Sequence, residues 1–181
     1  CTFIKGDVRN KEDWKVVIKG QDIVVHLAAE TGTGQSMYEV EKYNDVNIMG
    51  TAHFLEILAN STHSVKKMIV ASSRAIYGEG KYNCKIHGDQ YPLQRKEKDM
   101  KKGEFNPKCD ICNSELNLVS TDENSKIHPS SIYGINKQQQ EQMVMLMGDS
   151  LGIPAVAFRY QNVFGPGQSL SNPYTGILSI F

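Results

Sequence analysis

Residues 23–29 read Ile23-Val24-Val25-His26-Leu27-Ala28-Ala29, and this stretch predicts a buried β-strand. Its apolar, largely β-branched residues do not alternate with polar ones, which is typical of a parallel strand covered on both faces of its sheet. Helices are predicted on either side of it. Asn10 can cap the first, which ends at Gly20, and the second spans residues 39 to about 60. The stretch is therefore expected to be a sheet strand held between two helices.

The rest of the chain continues this alternation. Strands are predicted at 67–71 and 154–158, and a helix at 130–147 lies between them. Strands separated by helices of this length pair in parallel through right-handed crossovers. The predicted fold class is therefore α/β, with a doubly wound parallel sheet, and a ligand is expected at the carboxyl ends of the strands.

The composition excludes several classes of protein. The chain has 181 residues, about one domain, with 20 basic and 20 acidic side chains. A net charge of zero argues against a nucleic-acid partner, because binding by counterion release needs a basic surface. No apolar run approaches the roughly 18 residues of a membrane span, and the start has no signal-peptide pattern. These features predict a cytoplasmic protein that binds neither nucleic acid nor membrane.

Residues 78–129 form an insert with no clear helical or strand period. The insert contains two pairs of metal-ligating residues, Cys84-Lys85-Ile86-His87 and Cys109-Asp110-Ile111-Cys112. Two-residue spacing lets both side chains of a tight turn reach one ion, and two such turns complete a tetrahedron. The spacing therefore predicts a structural zinc in a zinc-ribbon-like insert, held by Cys84, His87, Cys109 and Cys112. Free thiols, or a disulfide between Cys109 and Cys112, are the alternatives.

Tyr133 and Lys137 form a Tyr-x3-Lys pair on the last predicted helix. The i, i+4 spacing places both side chains on one face. A tyrosine normally titrates near pH 10, but a nearby ammonium group lowers the pKa of the phenol. The pair can then remove a proton from an alcohol while hydride leaves its carbon. By itself the spacing is weak evidence for a catalytic pair, because it also occurs by chance on solvated helix faces.

Ser72 and Ser73 follow directly on the strand that is predicted to end at Ala71. A serine at the carboxyl end of a strand lies where ligands bind in this fold, and its hydroxyl can hold the reacting oxygen. Two serines that merely cap the strand exit are the alternative. The Tyr-x3-Lys pair favours the catalytic interpretation.

Six segments occur in an order that resembles a known family. They are Gly6-Asp7-Val8-Arg9, His26-Leu27-Ala28-Ala29, Asn47-Ile48-Met49-Gly50-Thr51, Ser72-Ser73-Arg74-Ala75-Ile76-Tyr77-Gly78, Tyr133-x3-Lys137 and Arg159-Tyr160-Gln161-Asn162-Val163-Phe164-Gly165-Pro166-Gly167-Gln168. Together they resemble the extended short-chain dehydrogenase/reductase family, specifically its nucleotide-sugar epimerases and dehydratases. The resemblance covers nearly the whole chain except the insert and implies a Rossmann-like sheet that binds NAD.

The resemblance also implies roles for individual residues. Ser73, Tyr133 and Lys137 would be catalytic. Asn162 would contact the pyrophosphate of the substrate, and Ser73 would also bind its sugar. The residues that would bind the cofactor are Asp7, Val8, Leu27, Ala28, Ala29, Asn47, Tyr133, Lys137 and Tyr160. Taken singly, Asp7, Ala28, Ala29 and Asn162 could each have only a structural role.

The residues after Ser73 separate the subclasses. Sugar 4,6-dehydratases of this family place Asp-Glu directly after the catalytic Ser or Thr, whereas this chain has Arg74 and Ala75. Inversion at C4 needs no such carboxyl pair, and these segments most resemble the dTDP-L-rhamnose 4-epimerases. The alternatives are a dehydrogenase or reductase of a 4-keto nucleotide sugar, and a non-catalytic zinc-ribbon module on a Rossmann core.

The resemblance predicts four parts of the chain. They are a partial dinucleotide-binding domain at 1–77, the Cys-rich insert at 78–129, the remainder of the first domain at 130–167 and the start of a substrate domain at 168–181. The glycine-rich pyrophosphate loop of the family is expected before residue 1, together with the residue that decides between NAD and NADP. A homodimer formed through the long helices is expected by family analogy.

Overall fold

The computed structural model describes residues 2–168 as a parallel sheet with helices, from which a smaller insert projects. The strands are β1 (Ile23–His26), β2 (Lys67–Ser73), β3 (Tyr82–Cys84), β4 (Gly88–Gln90), β5 (Asn117–Leu118) and β6 (Ala155–Tyr160). The helices are α1 (Lys11–Ile18), α2 (Val40–Tyr43), α3 (Gly50–Asn60), α4 (Glu97–Met100) and α5 (Ile132–Leu151). The predicted start of a substrate domain lies, apart from Gln168, outside the described residues.

The central sheet has the strand order β1-β2-β6, and both pairings are parallel. Val70 in the middle strand is in register with His26 on one side and Ala157 on the other. The α/β class predicted from the sequence is therefore confirmed. The parallel pairing brings the carboxyl ends of all three strands to one edge, where Ser73 is in register with Tyr160.

Helices α1, α3 and α5 share one core with the sheet. Trp14 of α1 stacks on Phe54 of α3, with ring centroids 5.1 Å apart, and Val144 of α5 is buried in the same cluster. The strands supply Met68 and Val70, which are 1% and 0% exposed. Burial of these side chains removes apolar surface from water and fixes α5 against β2.

The opposite face of the sheet is not covered within the described residues, which corrects the expectation of two covered faces. Its exposed side chains include Ile23, Val25, Leu27, Phe158 and Tyr160. Successive residues of a strand point to opposite faces of the sheet. The helices that share the core all pack against the face that carries Met68 and Val70. The apolar run at 23–27 reflects a strand with two apolar faces, only one of which meets a helix in this part of the chain.

The second predicted helix contains a π-helical turn. The chain is helical from Val40 to Asn60, but Asn44–Met49 follows the wider π spacing between α2 and α3. Such turns often occur at functional sites. Here the turn contains the fully buried Asn47, whose Oδ1 accepts a hydrogen bond from the Glu30 backbone N–H at 2.8 Å.

The insert has its own small antiparallel sheet, in the order β4-β3-β5. It leaves and rejoins the main domain at nearly the same place, because the His128 backbone N–H donates to the Ile76 carbonyl at 2.9 Å. Gly78 has a φ of +55°, and a Cβ at this position would lie 2.5 Å from the His128 carbonyl oxygen. Glycine is therefore required where the two ends of the insert meet.

The buried His26 predicts a pH dependence of stability. It is 4% exposed, and its Nε2 lies 2.9 Å from Thr51 Oγ1. Burial first, and then the charge of Lys137, lower the pKa of His26 to about 4, against 6.5 in an unfolded chain. Because the unfolded state binds the proton more tightly, the free energy of unfolding should fall by about 2 kcal/mol between pH 7 and pH 5 through this group alone.

Urea unfolding at the two pH values checks this expectation. His26→Gln should lose that part of the pH dependence, whereas the half-buried control His53→Gln should keep it. An equal pH dependence in the two variants would contradict the assignment to His26.

Candidate active site

The carboxyl end of β2 places two serines at the edge of the central sheet. Ser73 Oγ accepts a hydrogen bond from the Ala75 backbone N–H at 3.1 Å and so caps the short 3₁₀ turn Arg74–Tyr77. Ser72 is buried, and its Oγ has no hydrogen-bond partner among the described residues. Ser73 therefore has the capping role that the sequence offered as the alternative, and it also lies at the edge of the sheet where a ligand is expected.

The first turn of α5 lies against the residues that follow Ser73. Ser131 caps the helix by accepting a hydrogen bond from the Gly134 backbone N–H at 3.0 Å. A Cβ at position 134 would lie 2.7 Å from the Ala75 carbonyl oxygen, so only glycine permits this approach. The close contact brings Tyr133 next to Ser73, whose side chain acts to lower the pKa of the phenol.

Lys137 lies one turn further along α5 and is 3% exposed. Its Nζ donates to the Ala71 carbonyl at 2.9 Å and lies 5.9 Å from the centre of the Tyr133 ring. Burial lowers the pKa of Lys137 to about 8. Burial also raises the pKa of Tyr133, and the Ser73 side chain opposes this rise. The net direction is opposite to the lowering predicted from the sequence, because burial of the phenol is the largest cause of the shift.

These side chains line one cleft of about 780 Å³ at the carboxyl edge of the sheet. Of the residues predicted from the sequence, Leu27, Ala29, Ser73, Tyr133, Lys137, Tyr160 and Asn162 line it. Four other candidates, Asp7, Val8, Ala28 and Asn47, are not among its lining residues. The structure thus brings the proposed catalytic set together and leaves part of the proposed cofactor set outside the cleft.

The candidates outside the cleft have partners of their own. The Asp7 carboxylate pairs with Arg9 at 2.6 Å, and hydrogen bonds from Arg9 lower its pKa to about 2. Asn47 binds both backbone groups of Glu30, its Nδ2 donating to the carbonyl oxygen at 3.2 Å. Asn47 thereby holds the chain at Glu30, directly after the cleft residue Ala29.

Sequence reasoning missed several lining residues. The loop Thr31-Gly32-Thr33-Gly34 and the insert residues Glu79 and Gln94 contribute to the cleft wall. The position of this loop could have been inferred from the sequence, because a polar, glycine-containing run directly follows a predicted strand. Nothing in the sequence indicated Gln94, since its position depends on the fold of the insert. Its Nε2 donates to the Ser130 carbonyl at 2.5 Å.

The insert brings together the two pairs of metal-ligating residues. The four candidate ligand atoms of Cys84, His87, Cys109 and Cys112 lie within 4.8 Å of one another. Cys84 Sγ lies 3.7 Å from Cys112 Sγ and 3.6 Å from His87 Nδ1, and Cys109 Sγ lies 3.5 Å from the same nitrogen. Backbone N–H groups of Ile86 and His87 lower the pKa of Cys84 to about 5. The cluster has the donor types and the compactness of a metal site.

Comparison with known proteins connects this geometry to a family. Residues 1–108 and 113–181 match the NAD dependent epimerase/dehydratase family. The chain belongs to this family. The match omits only residues 109–112, which contain the Cys109 and Cys112 pair of the insert.

Individual members of the family show how far the similarity extends. The chain is 33% identical over 181 residues to the dTDP-L-rhamnose 4-epimerase of Burkholderia thailandensis, covering 99% of this chain and 48% of that protein. The UDP-N-acetylglucosamine 4-epimerase of Methanobrevibacter ruminantium M1, solved with UDP-N-acetylmuramic acid, superposes with a TM-score of 0.67 at 27% identity over 96% of this chain and 44% of that one.

The fold is also that of the UDP-glucose 4-epimerase of Thermotoga maritima, solved with UDP-glucose. The TM-score is 0.71 at 24% identity, over 99% of this chain and 47% of that one. The chain spans about half the length of the curated relatives it matches. Within the described residues, no helix is both long enough and apolar enough to cross a membrane.

The cleft fits the cofactor named in the family description. Ala29 and Ala71 give it small side chains at the strand ends, where a dinucleotide must approach the backbone closely. The ammonium group of Lys137 and the unpartnered hydroxyl of Ser72 supply buried polar atoms that suit the hydroxyls of a ribose. Lys137 and Ser72 are therefore suited to hold the nicotinamide riboside of NAD.

Proposed function

We propose that the protein is an NAD-dependent nucleotide-sugar epimerase that inverts C4 of the sugar through a transient 4-keto intermediate. The observation that carries the proposal is the convergence of Ser73, Tyr133 and Lys137 on one cleft at the carboxyl ends of parallel strands. The family description and the 33% identical 4-epimerase support it. A non-catalytic zinc-ribbon module would have no need for this set of residues.

The three side chains have distinct tasks in this reaction. Tyr133 removes the proton of the C4 hydroxyl and later returns it, and Ser73 holds the same oxygen by a hydrogen bond. Lys137 keeps a positive charge near the phenol and binds the ribose of the cofactor. NAD held by Lys137 and Ser72 would supply the hydride chemistry at C4, in which hydride leaves this carbon and comes back to the opposite face of the ketone. The cleft must therefore give the keto sugar room to rotate.

We propose dTDP-L-rhamnose and dTDP-6-deoxy-L-talose as the substrate pair. The dTDP-L-rhamnose 4-epimerase from B. thailandensis supports this choice, and so does the absence of a carboxyl pair after Ser73. The experiment is NMR analysis of dTDP-L-rhamnose, deuterated at C4, after incubation with the protein and NAD. Conversion to the 4-epimer with the label retained at C4 is expected. Stoichiometric release of NADH would instead indicate the alternative, a net dehydrogenase.

We also propose that Cys84, His87, Cys109 and Cys112 hold one structural zinc ion. In a tetrahedral site with Zn–S near 2.3 Å and Zn–N near 2.0 Å, the ligand atoms are separated by about 3.8 Å for two sulfurs and about 3.5 Å for sulfur and nitrogen. The observed separations of 3.7, 3.6 and 3.5 Å support this arrangement. Cys84, Cys109 and Cys112 are free thiols in the structure, and the 3.7 Å between Cys84 Sγ and Cys112 Sγ exceeds a disulfide bond of about 2.0 Å.

The small core of the insert supports the same conclusion. Its buried cluster consists of Tyr82, Cys84, Cys109 and Leu116, which is too little apolar surface to hold residues 78–129 in place. Two of these four residues are the proposed ligands. A metal would therefore replace the hydrophobic core that the insert lacks.

The homodimer and the cytoplasmic location predicted from the sequence belong to the same proposal. Ile135, Met145 and Leu146 of α5 are 39%, 41% and 67% exposed, which supports an interface on this helix. Sedimentation analysis of the protein should give a dimer, and a monomer at micromolar concentration would contradict it.

Lys137→Met should weaken NAD binding and lower kcat together, and it should shift the remaining activity to higher pH. The change removes a ribose contact and also the charge that favours the phenolate form of Tyr133. Calorimetric titration with NAD and a pH profile of kcat measure the two effects. The exposed control Lys19→Met should change neither, and an unaltered affinity and pH profile in Lys137→Met would remove this residue from the mechanism.

A further inference from the structure

Arg74 differs from the other arginines of the chain, which has four, all of them described. Arg9 pairs with Asp7 at 2.6 Å, Arg95 with Glu79 at 3.3 Å and Arg159 with Glu141 at 2.7 Å. Arg74 forms no ion pair among the described residues. Its Nε donates a hydrogen bond to Asn162 Oδ1 at 3.4 Å. Its guanidinium group therefore has N–H donors and a full charge without a carboxylate partner.

The position of Arg74 is set by the turn that follows the candidate catalytic serine. Ser73 caps the 3₁₀ turn that Arg74 begins, and both residues line the cleft. Three lining residues carry charge. Lys137 is committed to the Ala71 carbonyl at 2.9 Å, and Glu79 is paired with Arg95. Arg74 is thus the uncommitted charge within the described wall of the cleft.

We propose that Arg74 is a substrate-binding residue that holds an oxyanion of the substrate together with Asn162. The anion is either the pyrophosphate of the nucleotide sugar or a carboxylate on the sugar itself. A guanidinium group presents its N–H donors in a planar fork that matches either anion. Because Arg74 donates to Oδ1 of Asn162, the amide Nδ2 is left free to donate to the same anion.

The inference rests on the proposed function only in assuming that the cleft accepts a nucleotide sugar. Arg74 thereby has a positive role in recognition, beyond the absence of a dehydratase carboxyl at this position. Since the residue is exposed and caps nothing, its replacement should leave the fold intact. Thermal unfolding of the variants checks that point.

Calorimetric titration of the full-length protein with nucleotides and nucleotide sugars measures their affinity and tests the proposal without any turnover. The probes are dTDP, UDP, UDP-glucose and UDP-glucuronate, and the variants are Arg74→Gln and Arg74→Lys. If the anion is the pyrophosphate, Arg74→Gln should weaken all four ligands about tenfold to hundredfold, and Arg74→Lys by less because it keeps the charge. If the anion is a sugar carboxylate, only UDP-glucuronate should lose affinity.

Arg9→Gln is the matched control, because it removes the same guanidinium group from a residue that is paired with Asp7 outside the cleft lining. Its affinities should stay within about twofold of the wild type. Unchanged affinity of Arg74→Gln for all four probes would overturn the proposal, as would wild-type protein that binds none of them. Binding that depends on Arg74 without any epimerisation would uphold the proposal and contradict the proposed activity alone.

Discussion

Tyr133→Phe is expected to lower kcat by about 10²–10⁴-fold while leaving NAD binding nearly unchanged. The substitution keeps the ring, which packs beside Ser73, and removes only the hydroxyl. That hydroxyl is the group placed to take the proton of the sugar C4 hydroxyl, and water cannot replace a positioned base. Steady-state kinetics on an epimerisable dTDP- or UDP-sugar, together with calorimetric titration of NAD, measure both parts.

Two further variants make the test specific. Ser73→Ala should cost less than Tyr133→Phe, since water can replace part of a hydrogen bond. Tyr38→Phe makes the same chemical change at a side chain that is 90% exposed, and it should have no effect on turnover. Turnover of Tyr133→Phe close to that of the wild type would remove this residue from the mechanism and leave the non-catalytic hypothesis standing.

Cys109→Ser should abolish zinc binding and unfold the insert while the parallel sheet stays folded. Structural zinc sites contribute about 10–16 kcal/mol of apparent binding free energy, which far exceeds what the four-residue cluster of the insert can supply. Elemental analysis should find about one zinc per chain in the wild type and none in the variant. Limited proteolysis should then cut the variant between residues 78 and 129.

The matched control is Cys1→Ser, which removes a thiol that is not one of the four proposed ligands and should retain the metal. A wild-type protein without metal whose insert nevertheless resists proteolysis would contradict the zinc proposal. A disulfide between Cys109 and Cys112, detected by mass spectrometry of the untreated protein, would do the same. The insert also contributes Gln94 to the cleft, so its unfolding should raise the KM for the nucleotide sugar.

The sheet shows how far sequence patterns extend. The apolar run at 23–27 correctly predicted a parallel strand, because backbone pairing and β-branched packing are local properties. The same run suggested two covered faces, yet Val25 and Leu27 are exposed. Whether a face is covered depends on which elements cross the sheet, and no pattern within one strand carries that information.

The candidate site divides in the same way. The sequence by itself determined that Tyr133 and Lys137 share a helix face, since four residues complete about one turn. It also determined that Cys84 can approach His87 and that Cys109 can approach Cys112, since each pair is separated by only two residues. Both results follow from geometry within a few residues of chain.

Only the tertiary structure decided which of these local units meet. The contact of Gly134 with the Ala75 carbonyl brings Tyr133 to Ser73, and the fold of the insert brings Cys84 close to Cys112. It also leaves Arg74 without an ion pair among the described residues of the cleft. Such long-range contacts depend on packing and charge pairing across the whole chain, because a side chain binds whichever partner the fold brings within reach.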